Sequence, residues 1–170
     1  MPGQPDSQEF RRIMGHYPTG VCAITAMGED GPLGLVVGSF TSVSLDPPLV
    51  AFLPGRTSTS WSRIEATGRF CVNVLSERQQ DVCRKLSARV ANKFEDVAYQ
   101  LSPAGLPILE GAIAWIDCKL SAVHEAGDHY IVTGQVEALD VAEAHPPLLF
   151  FRGGYGGFTG EVSEALRAAG

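Results

Sequence analysis

Residues 112–141 read AIAWIDCKLSAVHEAGDHYIVTGQVEALDV. Two long runs rich in Ile, Val, Ala and Thr flank the pair Gly127-Asp128. In the first run Ile116, Cys118, Leu120 and Ala122 recur at every second position, the period of a strand with one face buried. A Gly-Asp pair between two such runs is a hairpin signal. The stretch predicts two long antiparallel strands, 112–123 and 129–141, turning at 127–128. Parallel neighbours would need a crossover of about a dozen residues or more, which this sequence does not leave room for.

The flanking segments add strands faster than helices. Residues 20–25, 33–45, 49–53, 70–75 and 148–152 read as further strands, with a turn at 28–32 and a stop at Pro47-Pro48. Three short helices are expected. One runs to Met14 behind Asp6 and Ser7, with Phe10, Ile13 and Met14 on one face. The second, 57–66, opens on hydroxyl residues and ends at Gly68. The third starts at the capping-box pair Ser76 and Gln79 and runs to about Ser87. Residues 88–111 read as irregular, and a glycine-rich stretch at 153–157 and a terminal helix close the chain. Strands that follow one another without alternating helices argue against a doubly wound parallel sheet. They predict a mainly β fold, an antiparallel barrel with a few peripheral helices, as one domain over residues 1–170.

Composition narrows the function classes. With 45% hydrophobic and 19% charged residues, the chain has material for a core and too little charge for disorder. The formal charge of -6 and the absence of a basic run argue against nucleic acid or an anionic membrane surface as partner. No apolar stretch approaches the roughly 20 residues of a membrane span, and the polar start MPGQPDSQEF does not read as a secretory signal. Cys22, Cys71, Cys83 and Cys118 are far apart and without histidines at ligand spacing, so buried free thiols are expected rather than a metal site. The cytoplasm is the expected location.

Three constellations could carry chemistry. Arg56-Thr57-Ser58-Thr59-Ser60 precedes a helix, where free N–H groups and a partial positive charge favour anions. The run fits a phosphate cradle as well as it fits a helix cap with surplus surface hydroxyls. Residues 34–42 (GLVVGSFTS) interrupt an apolar strand with small residues, which suits a flat aromatic ring read by backbone groups, or simply a bulged strand. Gly127-Asp128-His129 is a hairpin turn with a histidine whose neighbouring carboxylate can fix its tautomer. No nucleophile elbow, GxGxxG or GxxxxGK[ST] motif occurs, so any nucleotide must be held some other way.

Together these segments resemble the short-chain flavin reductase family, whose fold is the FMN-binding Greek-key split barrel. The resemblance runs from about Phe10 to Phe158. It rests on Pro18-Thr19-Gly20-Val21, Gly34, the run Ser39-Phe40-Thr41-Ser42-Val43-Ser44-Leu45-Asp46-Pro47-Pro48-Leu49-Val50, and Thr57-Ser58-Thr59-Ser60-Trp61. Phe70-Cys71-Val72-Asn73-Val74-Leu75, Lys93-Phe94, Gly127-Asp128-His129 and Pro147-Leu148-Leu149-Phe150 complete it.

The resemblance implies a homodimer that reduces FAD or FMN with NADH or NADPH. It also implies a separate oxygenase component, acting on an aromatic or polycyclic substrate, that receives the reduced flavin. Pro32, Leu33, Gly34, Leu35, Val36, Gly38 and Ser39 would meet the flavin ring and ribityl chain. Leu53, Pro54, Gly55, Thr59 and Ser60 would hold its ribityl and phosphate end, and Lys85 and Leu86 would reach the pyrophosphate or adenine side. Gly127, Asp128 and His129, with Phe150, Phe151, Arg152 and Gly153, would receive the nicotinamide nucleotide. His129 is the candidate nearest the chemistry, although holding nicotinamide C4 against flavin N5 at roughly 3–3.5 Å demands orientation more than an acid or base. Family members often carry Thr or Asn where this chain has Val36 and Gly38, so the backbone must do that work here or flavin binding is looser. Arg56, Lys85, Arg89 and Arg152 are the candidates for a 2′-phosphate. A non-catalytic flavin- or heme-binding split barrel is the alternative; a flavin-dependent oxidase or hydroxylase acting directly on a substrate is a weaker third reading.

Overall fold

The computed structural model describes residues 3–163. Helix α1 (Ser7–Met14) is capped by the Asp6 carboxylate, which accepts from the Glu9 N–H at 2.7 Å. Strands β1 (Thr19–Gly20), β2 (Cys22–Gly28), β3 (Gly31–Val37), β4 (Thr41–Leu45) and β5 (Pro48–Phe52) follow. Then come α2 (Thr59–Thr67), β6 (Arg69–Val74) and a 3-10 turn (Glu77–Gln79) leading into α3 (Gln80–Ser87). The rest is strand: β7 (Tyr99–Leu101), β8 (Pro107–Leu109), β9 (Ala114–Ala126), β10 (His129–Val141), β11 (Leu149–Phe151) and β12 (Gly154–Gly156).

Seven strands form one antiparallel sheet in the order β3-β2-β6-β9-β10-β5-β4. The path from β5 through α2 to β6 leaves a gap that the β9–β10 hairpin fills, a Greek-key arrangement. Strands β3 and β4 sit at opposite ends of this ladder, yet only residues 38–40 join them. That link spans little more than about 13 Å. The sheet must therefore curl until its two edges approach, while no ladder bonds join them among the described residues. The result is a barrel with a split along β3 and β4.

The barrel interior is filled by Ile24, Phe52, Trp61, Phe70, Val72 and Val132, with the Phe52 ring edge-on to Trp61 (5.5 Å) and Phe70 (5.2 Å). A second cluster under α3 joins Val21, Ala23, Leu75, Cys83, Leu86 and Leu148. Helix α2 starts at Thr59, two residues later than expected, because Ser58 is its cap, with Ser58 Oγ accepting from the Trp61 N–H at 3.1 Å; it ends at Gly68, as expected, with φ 71°. All four cysteines are buried and free.

Several expectations are corrected. The run 33–45 is two strands, not one, because the chain must leave one sheet edge and join the other at residues 38–40. The turn at 28–32 tightens to Glu29-Asp30, since Gly28 already pairs with Gly31. The first hairpin strand starts at Ala114 and continues to Ala126. Its alternation does not persist: Ser121 is an extra residue opposite the Thr133/Gly134 step, so Val123 rather than Ala122 follows Leu120 into the core. Residues 88–111, read as irregular, contain β7 and β8, and the glycine-rich stretch contains β12. The terminal helix lies outside the described residues.

Candidate functional site

One cavity of about 1290 Å³ opens along the free edge of β3. It exceeds the roughly 300–1,000 Å³ of a single small-molecule pocket. Its walls come from α1, β3, residues 53–55 and 57–60, residues 86–91, Lys93, His129 and Phe150.

The β3 wall is largely backbone. The Gly34 carbonyl turns away from β2 and accepts from Lys93 Nζ at 3.3 Å. In an antiparallel ladder the N–H and C=O of a residue face the same side and alternate along the strand. The N–H and C=O of Val36 therefore share this free edge, while the Val36 side chain packs against the second core cluster. Small residues are required here by contact. A Cβ on Gly34 would come within 3.0 Å of the Phe94 ring, and one on Gly38 within 2.8 Å of Thr19 Oγ1. That Thr19 hydroxyl is buried without a hydrogen-bond partner among the described residues.

The opposite end is built for an anion. Ser58 occupies the Trp61 N–H, so the N–H groups of Thr59 and Ser60 remain available at the helix start, and both residues line the cavity. Arg63, one turn further, lines it as well. Ser39 Oγ accepts from the Leu53 N–H at 2.9 Å and ties the β3–β4 link to this wall. With Arg11, Arg89 and Lys93, four cations line the cavity, and no Asp or Glu does among the described residues. Burial lowers the Lys93 pKa, and its ammonium donates to the carbonyls of Gly34 and Leu86 (2.9 Å).

The third wall is the β9–β10 turn. Gly127 takes φ 63° at the first position of a two-residue loop, the pattern of a type II′ turn. His129 Nδ1 donates to Asp128 Oδ1 at 2.7 Å, and this contact holds the exposed carboxyl below its usual range. The tautomer is thereby set, and Nε2 is left without a partner among the described residues.

Most expected site residues meet in this cavity: Pro32, Leu33, Gly34, Leu35, Val36, Gly38, Ser39, Leu53, Pro54, Gly55, Thr59, Ser60, Leu86, His129 and Phe150 all line it. Six do not. Lys85 points elsewhere, its Nζ donating to the carbonyls of Glu95 and Asp96 at 3.3 Å. Gly127 and Asp128 shape the turn without facing the cavity. Phe151 ends β11, and Arg152 and Gly153 form the turn before β12, where the Arg152 N–H is bound to the Gly15 carbonyl at 3.0 Å. Of the four 2′-phosphate candidates only Arg89 lines the cavity. The sequence reading missed Thr19, Arg11, Arg63 and Lys93 as wall residues.

A backbone-lined slot, a helix start rich in hydroxyls and a histidine hairpin in one cationic cavity suit two nucleotide-like ligands. The flavin reductase-like domain model matches residues 14–159. The chain belongs to the flavin reductase-like domain family. A flavin reductase of Pseudomonas putida is 60% identical over 154 residues, covering 90% of this chain and 91% of that protein. The reductase subunit HsaB of a flavin-dependent monooxygenase from Mycobacterium tuberculosis is 45% identical, covering 95% and 87%. The solved NADH:FAD oxidoreductase SgcE6 of Streptomyces globisporus, in complex with NAD and FAD fragments, superposes with a TM-score of 0.86 at 33% identity, covering 93% and 96%.

Proposed function

We propose that this flavin reductase family member is an NAD(P)H:flavin oxidoreductase that reduces FAD or FMN. It supplies the reduced flavin to a separate monooxygenase acting on an aromatic or polycyclic substrate. The observation that carries this reading is the charge of the cavity. The chain bears a net -6, yet its one large cavity is lined by four cations and no carboxylate among the described residues. That polarity suits phosphate-bearing cofactors. The relative that is a monooxygenase reductase subunit supports the division of labour between two proteins.

In this reading the Val36 backbone, with Pro32 to Ser39 around it, reads the polar edge of the flavin ring. Leu53, Pro54 and Gly55 follow the ribityl chain, and Thr59 and Ser60 hold the phosphate through N–H and hydroxyl groups. Leu86, Arg89 and Lys93 face the pyrophosphate side, the part first expected of Lys85. His129 and Phe150 seat the nicotinamide nucleotide, with Gly127 and Asp128 fixing the turn. The bound flavin supplies the two-electron acceptor. The protein orients the two rings and keeps water from between them; no proton transfer by a side chain is required.

The proposed unit is one domain over residues 1–170, paired as a homodimer. Helix α1 buries none of its residues although Phe10, Ile13 and Met14 share a face, and Leu45 on the edge strand β4 is 95% exposed. Surfaces of this kind call for a partner. The four free, buried cysteines suit the reducing cytoplasm, and no helix among the described residues is long and apolar enough to cross a membrane.

The test is steady-state oxidation of NADH and NADPH with FAD, with FMN and with no flavin, on protein whose mass is read by light scattering. Turnover that requires flavin and a dimeric mass are expected. Absence of turnover in all four pairings would leave a flavin carrier instead of a reductase, and a monomeric mass would remove the dimer.

A further inference from the structure

Arg56 sits in the middle of a run whose other members face the cavity: Leu53, Pro54 and Gly55 before it, and Thr57 to Ser60 after it, all line the wall. Arg56 alone is turned away. Its Nη1 donates to the Gly127 carbonyl at 3.4 Å, its Nη2 to Glu125 Oε1 at 3.3 Å, and the guanidinium lies 5.8 Å from the centre of the Tyr130 ring. The main chain is joined at the same place. The Arg56 N–H donates to the Asp128 carbonyl at 3.0 Å, the Tyr130 N–H donates to the Pro54 carbonyl at 2.9 Å, and Gly55 and His129 form an antiparallel bridge. The segment entering the anion-binding helix start and the turn carrying His129 are thus one bonded unit, and Arg56 is the side chain that grips the turn from outside.

The geometry points to Arg56 as a positioning residue that couples flavin binding to nicotinamide binding. This inference rests on the assignment of the two cofactor seats proposed above. A ligand that orders Pro54 and Gly55 also orders Asp128, His129 and Tyr130 through these bonds. The cost of ordering is met once, and the second ligand binds a turn already held in place. Such couplings usually amount to roughly 5- to 150-fold, and they are reciprocal. The side-chain contacts of Arg56 are long and exposed, so each is individually weak. Their effect lies in closing three partners on one guanidinium, a fork that an ammonium cannot reproduce. The same commitments keep Arg56 from serving as a phosphate ligand.

The test uses NAD+, which does not reduce oxidised flavin, titrated calorimetrically into the protein with and without saturating FMN, and in parallel with FAD. In the wild type, flavin is expected to tighten NAD+ binding by about tenfold, and NAD+ to tighten flavin by the same factor, within the usual range of such couplings. In Arg56→Ala, which keeps the main-chain bonds and loses the side-chain contacts, that factor falls by about half or more, while flavin affinity measured without NAD+ stays within about threefold and the thermal midpoint is kept. Arg56→Lys and Glu125→Gln, which each leave some of the contacts, are expected to lie between. In turnover, Arg56→Ala raises the KM for NADH and largely spares kcat. An unchanged coupling factor in Arg56→Ala would overturn the inference. So would a tenfold loss of flavin affinity in the absence of NAD+, which would make Arg56 a direct flavin ligand. A wild-type protein that binds both ligands with no coupling defeats this inference alone; one that binds neither defeats the reductase reading with it.

Discussion

His129 reaches its place through one short contact and one bridge. The Asp128 carboxylate accepts from the Nδ1–H, and Gly55 fixes the backbone beside the cavity. A ring held this way can accept at Nε2 from a carboxamide N–H, and nothing in its surroundings demands that it move a proton during hydride transfer. His129→Ala should therefore raise the KM for NADH by roughly 3- to 10-fold, the worth of about one hydrogen bond, and slow single-turnover flavin reduction less than that. A collapse of single-turnover hydride transfer with NADH affinity intact would make the histidine catalytic. The turn was legible because Gly-Asp before a β-rich run has a local meaning. The lysine was not. Lys85 lies in a helix with a readable period, whereas Lys93 folds back onto Gly34 from residues 88–93, which carry no period. The link between Lys93, Phe94 and Gly34 exists only in three dimensions: a ring needs the space where a Cβ would be.

At the level of elements, period decided what could be read. Strand β10 covers the span expected of it, because thirteen residues give many alternations to count. Strands β7 and β8 have three residues each, with Pro103 between them and Pro107 opening β8, and three residues hold no countable pattern. The break between β3 and β4 was hidden for another reason: Ser39 and Phe40 are as β-like as their neighbours, and closure of the barrel, not propensity, imposes it. Gly134 in β10 shows how tightly the central hairpin is packed. A Cβ there would fall 2.4 Å from Phe70 and 3.0 Å from the Cys118 Cβ, inside the aromatic centre of the barrel. Gly134→Ala is expected to cost about 1–3 kcal/mol by overpacking, read as a lower midpoint in chemical denaturation. An unchanged midpoint would mean that the Phe70 ring moves aside freely.

For the whole molecule, the buried thiols set a limit on the alkaline side. Burial pushes Cys22 and Cys118 from 9.0 up to about 12, and Cys71 further still, with the nearby Asp117 adding to the shift. A thiol whose folded pKa is raised keeps its proton in the native state while the unfolded chain loses it. Native protein then binds more protons than unfolded protein above pH 9, so stability falls as pH rises. Each thiol lowers stability by roughly 1 kcal/mol per pH unit between its unfolded and folded values. The thermal midpoint should hold up to about pH 8.5 and decline steeply from pH 9 to 11, with Cys118→Ala giving a shallower decline. A midpoint flat across that range would show that these thiols are not sheltered. The split in the barrel has a consequence of a different kind. The edge of β3 left open to receive a ligand still carries the free N–H and C=O of Val36 beyond the Gly34 carbonyl that Lys93 occupies, a place where a stray strand from another molecule can add. Whatever hydrogen-bonds along Val36 caps the sheet as it binds, so an occupied cavity also protects the protein from aggregation. Concentrated protein is then best kept with its ligand present, for the sake of solubility as much as of turnover.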